Sequence, residues 1–214
     1  PNVDMSVTLA GMTMKNPICV ASGTYGFGRE YGQFYDLSEI GGICAKGLTL
    51  HRREGNPAPR IAETPMGILN SVGLQNPGVD HFIEHDLPWL SQQGTKIIAN
   101  MAGNAPEDYC ATVEKLNDTC VDMVELNISC PNVKQGGVQF GTTTEGVYGI
   151  TAEVRKHCKK PLMVKLSPNV TDISEMAVAA ESAGADAISM INTLTGMRID
   201  IRSRRPIIRN NTGG

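Results

Sequence analysis

Residues 162–191 read LMVKLSPNVTDISEMAVAAESAGADAISMI. The stretch opens on a short apolar run, Leu162–Leu166, interrupted only by Lys165 near its end. Thr171 and Asp172 then supply a helix start, and Ile173, Met176, Ala177 and Ala180 follow on one helical face. Gly184-Ala185-Asp186 breaks that helix, and a second apolar run, Ala187–Ile191, begins at once. Short runs that are apolar on successive positions read as strands buried on both faces. Strand, helix and strand in this order predict a parallel pair joined by a right-handed crossover.

The same alternation extends toward the N-terminus. Further apolar runs occur at Ile18–Ala21, Ile43–Lys46, Ile97–Met101 and Met123–Asn127. Between them, Pro106, Glu107 and Asp108 open a helix on which Tyr109, Val113 and Leu116 repeat. Val147, Ile150 and Val154 mark another. The fold class is therefore α/β. Two features favour a closed (β/α)8 TIM barrel over an open doubly wound sheet. Several runs end in polar residues, namely Ser22, Lys46, Asn100, Asn127, Lys165 and Asn192, as at the mouth of a barrel. No GxGxxG follows the first strand, so the dinucleotide fingerprint is missing. Val7–Met14 reads as a hairpin turning near Gly11 and able to plug the lower end.

About six of the eight βα units are present, as one domain over residues 1–214. Six strands leave two edges open, and Asn210–Gly214 is loop-like, so the chain reads as a fragment of a longer one. Two connections, Thr49 to about Asp80 and Ser129 to Thr144, are too long for plain crossovers, and long loops at a barrel mouth are usually functional.

Composition narrows the function. The 214 residues are 41% hydrophobic and 19% charged, with a net charge of −3. This is globular, and it argues against coating nucleic acid or an anionic membrane. No apolar run approaches the roughly 20 residues of a membrane span, and no signal segment opens the chain. The six cysteines, Cys19, Cys44, Cys110, Cys120, Cys130 and Cys158, form no CxxC pair and match no metal-ligand spacing. They read as reduced thiols of a cytoplasmic protein, mostly core fillers, with no metal site.

Cys130 differs by its setting, Asn127-Ile128-Ser129-Cys130-Pro131-Asn132, just past a strand end. Two asparagines flank it and can offer amides to a planar polar ligand. Its thiol can serve as nucleophile or base. None of His51, His81, His85 and His157 is near in sequence, so a cysteine–histidine dyad is unsupported. Lys46 and Lys165 follow apolar runs at matching positions. A rim lysine usually snorkels, but two at matching places point to an anion or an electron-rich ring; a Schiff base on Lys165 is the alternative. Asn70, Asn100, Asn127, Asn132 and Asn192 together suit a heterocycle with alternating C=O and N–H groups. Ser71-Val72-Gly73-Leu74 can add backbone N–H groups. Arg198, Arg202, Arg204, Arg205 and Arg209 form a basic run, read as a solvated loop, with a docking patch or anion funnel as the sharper alternative.

These residues resemble the dihydroorotate dehydrogenases of class 1, FMN-dependent barrels of pyrimidine synthesis. The matching segments are Asn16-Pro17, Ala21-Ser22-Gly23, Lys46-Gly47, Arg53–Pro57, Asn70–Gly78, Asn127–Asn132, Val164–Pro168 and Asn192-Thr193, in the family's order. Ser22–Gly28 and Asn192–Arg198 are similar to the class 1B branch. The resemblance implies that Cys130 removes a proton from C5 of dihydroorotate while a hydride passes from C6 to N5 of FMN. It implies that Ser22, Lys46, Gly47, Asn100, Asn127, Lys165 and Ile191 hold FMN, with Lys165 stabilising the reduced ring. Lys46, Asn70, Ser71, Val72, Gly73, Leu74, Asn127, Asn132, Asn192 and Thr193 are implied for the substrate. It further implies a homodimer core within a heterotetramer, whose second subunit carries FAD and a 2Fe-2S cluster and passes electrons to NAD.

Family members run on for roughly another third of this length, and the loops that grip the FMN phosphate lie there. This segment alone is therefore expected to retain FMN weakly or not at all. Three other readings compete: reduction of a related pyrimidine, as in the dihydropyrimidine dehydrogenases, a Schiff-base aldolase-type barrel on Lys165, and a truncated, non-catalytic barrel.

Overall fold

A computed structural model describes residues 3–129 and 140–214. A hairpin opens it, β1 (Val7–Leu9) and β2 (Met12–Met14), turning at Ala10-Gly11 with both residues at positive φ. Then come β3 (Cys19–Val20), β4 (Gly42–Cys44), and an antiparallel pair, β5 (Ile61–Thr64) and β6 (Gly67–Asn70). A helical stretch follows as α1 (Val79–His81), a π-helical turn (Phe82–Asp86) and α2 (Leu87–Leu90). The remainder alternates regularly: β7 (Lys96–Met101), α3 (Pro106–Asn117), β8 (Met123–Asn127), α4 (Thr144–His157), β9 (Leu162–Lys165), α5 (Ile173–Ser182) and β10 (Ala187–Ser189).

The six strands expected from the apolar runs form one sheet in the order β10-β9-β8-β7-β4-β3. Every pairing in it is parallel. These are six strands of a (β/α)8 barrel, curled so that one face looks outward to helices and the other inward. The helix starts expected at Pro106 and at Thr171-Asp172 hold, and Thr143 supplies one for α4. Pro106 is the first residue of α3, and the side chains of Thr143 and Asp172 cap α4 and α5 by accepting from Gly146 N and Ser174 N. Each cap satisfies a backbone donor that the first turn would leave unpaired.

Side-chain alternation assigns the two faces. Ile43, Ala45, Ile97, Ala99, Met101, Val124, Leu126, Leu162 and Val164 point outward and pack with Tyr109, Val113, Leu116, Val147, Ile150, Val154, Met176 and Ala180 of the helices. Cys44, Ile98, Met123, Met163 and Ala187 point inward and pack on Met12 and Met14. The hairpin therefore plugs the amino-terminal end of the barrel, as its sequence predicts. Above that apolar floor the inward positions turn polar.

Some expectations need correction. The long connection from Thr49 to about Asp80 contains the β5–β6 pair, and the helical stretch Val79–Leu90 interrupts the run before β7. The terminal segment carries short ladders, Gly196–Met197 with Thr212–Gly213 and Ile199–Asp200 with Arg205–Pro206. The apolar run Ala187–Ile191 is strand only as far as Ser189. The filler role holds for buried Cys44 and Cys158, whereas Cys19 and Cys120 are exposed; all five described cysteines are free thiols.

Candidate active site

The site is built on the inward positions of β7, β8 and β9, at their carboxyl ends. Asn100 of β7 stands opposite Glu125 of β8, and one step higher Asn127 of β8 stands opposite Lys165 of β9. Asn100 is fully buried, Glu125 is 2% exposed and Lys165 is 8% exposed. Glu125 Oε2 accepts from Asn100 Nδ2 at 2.5 Å and from Cys44 Sγ at 3.0 Å. Burial first, then the charge of Glu125 and its hydrogen bond, push the Cys44 thiol well above its ordinary range, while Lys165 pulls it the other way. Both charges thus act on one thiol and share one inner layer.

Two features of this layer ask for a ligand. Asn100 Oδ1 is buried and has no hydrogen-bond partner among the described residues. An unpaired buried acceptor costs about 1–3 kcal/mol. The Lys165 ammonium likewise has no hydrogen bond or ion pair among the described residues, which is expensive for a buried cation.

The rim is formed by neighbouring strand ends and loops. Lys46, just past β4, is half-buried, and burial followed by the positive charge of Arg60 holds its ammonium below the ordinary lysine value. Its backbone N–H donates to Gly26 O at 2.9 Å, which ties the Ser22–Gly28 turn to the mouth. Gly47 is needed for space, since a Cβ there would stand 2.8 Å from Asn100 Oδ1 and 3.5 Å from Leu74 Cδ2. Asn192 Nδ2 donates to Asn127 Oδ1 at 3.0 Å, and Tyr109 of α3 holds the Asn127 carbonyl at 2.9 Å.

The loop from Asn70 to Leu74 reaches the same rim through Leu74. Asn70 exchanges two backbone hydrogen bonds of 2.8 Å with Gly214, and Ser71 N donates to Arg60 O at 2.7 Å. Gly73 and Leu74 both have positive φ, at 77° and 54°. That conformation suits Gly73 and strains a leucine. Asn76 Nδ2 locks the turn by donating to Leu74 O at 2.7 Å.

The structure therefore brings together Lys46, Gly47, Leu74, Asn100, Asn127, Lys165 and Asn192. Ser22 is half-buried in the adjoining turn, while Ile191 and Thr193 are exposed. Cys130 and Asn132 lie outside the described residues. The five arginines of the basic run are all exposed, as a solvated segment should be, and Arg198 donates to Glu63 O. Away from the mouth, Cys110, Glu153 and His157 approach one another within 4.8 Å on the outer helices.

Glu125 escapes the sequence reading. It hides in an apolar run, where a single acidic residue looks like an irregularity. The signal was its spacing: two residues before Asn127, it shares that residue's face on any strand.

Comparisons with known proteins fit this geometry. Residues 4–214 match the family described as dihydroorotate dehydrogenase. A protein of Alkaliphilus metalliredigens named dihydroorotate dehydrogenase B (NAD(+)), catalytic subunit, is 58% identical over 212 residues, 99% of this chain and 70% of its own length. Proteins of the same name from Bacteroides fragilis and Petrotoga mobilis are 56% and 53% identical over 212 residues, again 99% of this chain and 70% and 71% of theirs. A barrel whose inner polar layer ends in this set of lysines and asparagines, matched along nearly all its length, belongs to the dihydroorotate dehydrogenase family.

Proposed function

We propose that the protein oxidises dihydroorotate to orotate in pyrimidine biosynthesis, with FMN bound at the barrel mouth and NAD as the final acceptor. The observation that carries the reading is the buried layer of Asn100, Glu125 and Lys165 beneath a rim of Lys46, Asn127 and Asn192. It combines a buried acceptor and an ammonium, both without a partner among the described residues, with a glycine-cleared space at Gly47. Those features fit a planar ring with N–H and C=O edges and electron-accepting chemistry. The names of the relatives, which specify dihydroorotate and NAD(+), support the substrate and acceptor.

When bound, FMN would accept the electron pair removed from the substrate. Ser22, Lys46, Gly47, Asn100, Asn127, Lys165 and Ile191 would hold it, and Lys165 would supply the positive charge that favours an electron-rich ring. Asn70 to Leu74, Asn127, Asn132, Asn192 and Thr193 would orient the substrate, with Lys46 facing its carboxylate. Cys130 would take the proton from C5, a role that rests on the resemblance. The term "catalytic subunit" in the relatives' names supports a partner. We take that partner to carry FAD and a 2Fe-2S cluster, joined to a homodimer core in a heterotetramer. A cytoplasmic location is part of the proposal; no described helix is long and apolar enough to cross a membrane.

The test is anaerobic. The FMN-loaded enzyme is mixed with dihydroorotate, and loss of oxidised-flavin absorbance is followed. Bleaching is expected, and Cys130→Ala should slow it by roughly 10²–10⁴-fold, as loss of a general base does. Bound FMN that stays yellow with dihydroorotate overturns the assigned substrate.

A further inference from the structure

We propose that Glu125 is a positioning residue that tunes the flavin site from beneath, acting through Asn100 and through its own charge. The inference rests on the flavin reading above and deepens it.

A carboxylate that is 2% exposed in the middle of the inner face is costly unless its surroundings compensate. Here two donors converge on one oxygen, Asn100 Nδ2 and Cys44 Sγ. The cation of the same layer, Lys165, is one register step away, opposite Asn127 rather than Glu125. The two form no ion pair within 4.0 Å. Opposite charges are thus held in one buried layer without neutralising each other by contact, and their field extends to whatever binds above.

Two consequences follow. A carboxylate only accepts, so Glu125 fixes which end of the Asn100 amide turns toward it. The Nδ2 end is drawn to Glu125 and the Oδ1 end is left buried beside Gly47, without a partner among the described residues. That end requires an N–H, and the oxidised flavin ring offers one, the imide. Without Glu125 the amide is free to present the wrong end. The second consequence is electrostatic. A fixed negative charge near the ring opposes the arrival of electrons, while Lys165 favours it. Glu125 therefore lowers the flavin reduction potential.

The test uses the FMN-loaded enzyme and two variants. Glu125→Gln keeps size and an acceptor for Asn100 but removes the charge. Its midpoint potential, measured by equilibration with a reference dye, should rise by an amount of the order of tenfold in the reduction equilibrium, about 30 mV for a two-electron couple. FMN should stay bound. Glu125→Asp keeps the charge but withdraws it from Asn100. It should hold the potential near that of the parent and weaken FMN binding, read by flavin fluorescence. A Gln variant with an unchanged or lower potential overturns the proposal, as does an Asp variant that behaves like the Gln variant.

Should the Gln variant not fold, the parent enzyme still decides. The Cys44 S–H stretch, assigned by its loss in Cys44→Ala, should lie below that of a free thiol because it donates to a carboxylate. A free-thiol position overturns the proposal. A parent enzyme spanning the full length of the relatives, of which this chain covers 70%, that holds no flavin at all is a different result: it overturns the flavin reading and this inference with it.

Discussion

Asn192 Nδ2 donates to Asn127 Oδ1 at 3.0 Å, and the bond spans the barrel mouth from the end of β10 to the end of β8, over the intervening β9. The polarity of this pair is set by the chain that follows β8. Asn127 Oδ1 also accepts from Ser129 N at 3.2 Å, so its oxygen must face both donors. Replacing Asn192 by Ala removes one donor and should weaken orotate binding by about 1 kcal/mol, roughly fivefold. Asn192→Asp should be worse than Asn192→Ala, because it sets an acceptor against an acceptor. Titration of orotate against the FMN-loaded protein checks the order. An Asp variant that binds more tightly than the Ala variant contradicts the assigned orientation of Asn127.

Lys46 predicts a pH dependence. Burial, and then the charge of Arg60, favour its neutral form, so it loses its proton below the ordinary lysine value of 10.5. An anionic ligand beside it favours the charged form and draws the proton back. Orotate affinity should therefore be flat at neutral pH and fall as pH rises through the lowered Lys46 value. The limiting slope is about one proton per ligand bound. In Lys46→Met the affinity should be lower and that slope absent. Calorimetry in buffers of different ionisation enthalpy reads the proton uptake directly.

The strands and helices of the barrel are legible in sequence because burial on both faces leaves runs such as Met123–Asn127, and because Pro106 and Asp172 mark helix starts. The lysines and asparagines of the mouth are legible because polar residues at strand ends stand out against such runs. The β5–β6 pair is not legible: Pro57, Pro59, Pro65 and Gly67 lie in or beside it and read as loop. Val79–Leu90 is obscured by Pro88 and by a π-helical turn that shifts the periodicity. Glu125 is hidden for a different reason. Its partners, Asn100 and Cys44, are 25 and 81 residues away, and only the pairing of β4, β7 and β8 in one sheet brings them to it. The role of Cys130 came from a resemblance of motif, and its position lies outside the described residues.

The apolar floor predicts a stability effect separable from chemistry. Met14 is 6% exposed and packs among Met12, Cys44, Ile98, Met123, Met163 and Ala187. Met14→Ala leaves a cavity between the hairpin and the sheet and should cost about 2–5 kcal/mol. Denaturant unfolding measures this as a lowered midpoint at unchanged slope. Since the floor lies below the polar layer, orotate affinity of the folded variant should change little. A large loss of affinity with little loss of stability would contradict the separation of floor and site.

Gly47 joins layer and rim in one position. A Cβ at Gly47 would stand 2.8 Å from Asn100 Oδ1, closer than real Cβ contacts allow, so one side must yield. Asn100 cannot swing away freely, because its Nδ2 is bound to Glu125 and its backbone is fixed in β7 between β4 and β8. Leu74 is the other neighbour, and Asn76 pins its carbonyl. Gly47→Ala should therefore disturb the site more than a single methyl suggests, by about 1–3 kcal/mol as overpacking does. The loss should fall mainly on FMN binding, with thermal stability less affected. Combining Gly47→Ala with Asn100→Ala removes the clash along with the amide. The double variant should then bind FMN no more weakly than Asn100→Ala alone, which a double-mutant cycle on FMN affinity reads out. Additive losses would show that Gly47 and Asn100 act independently and that the clash is not what requires the glycine.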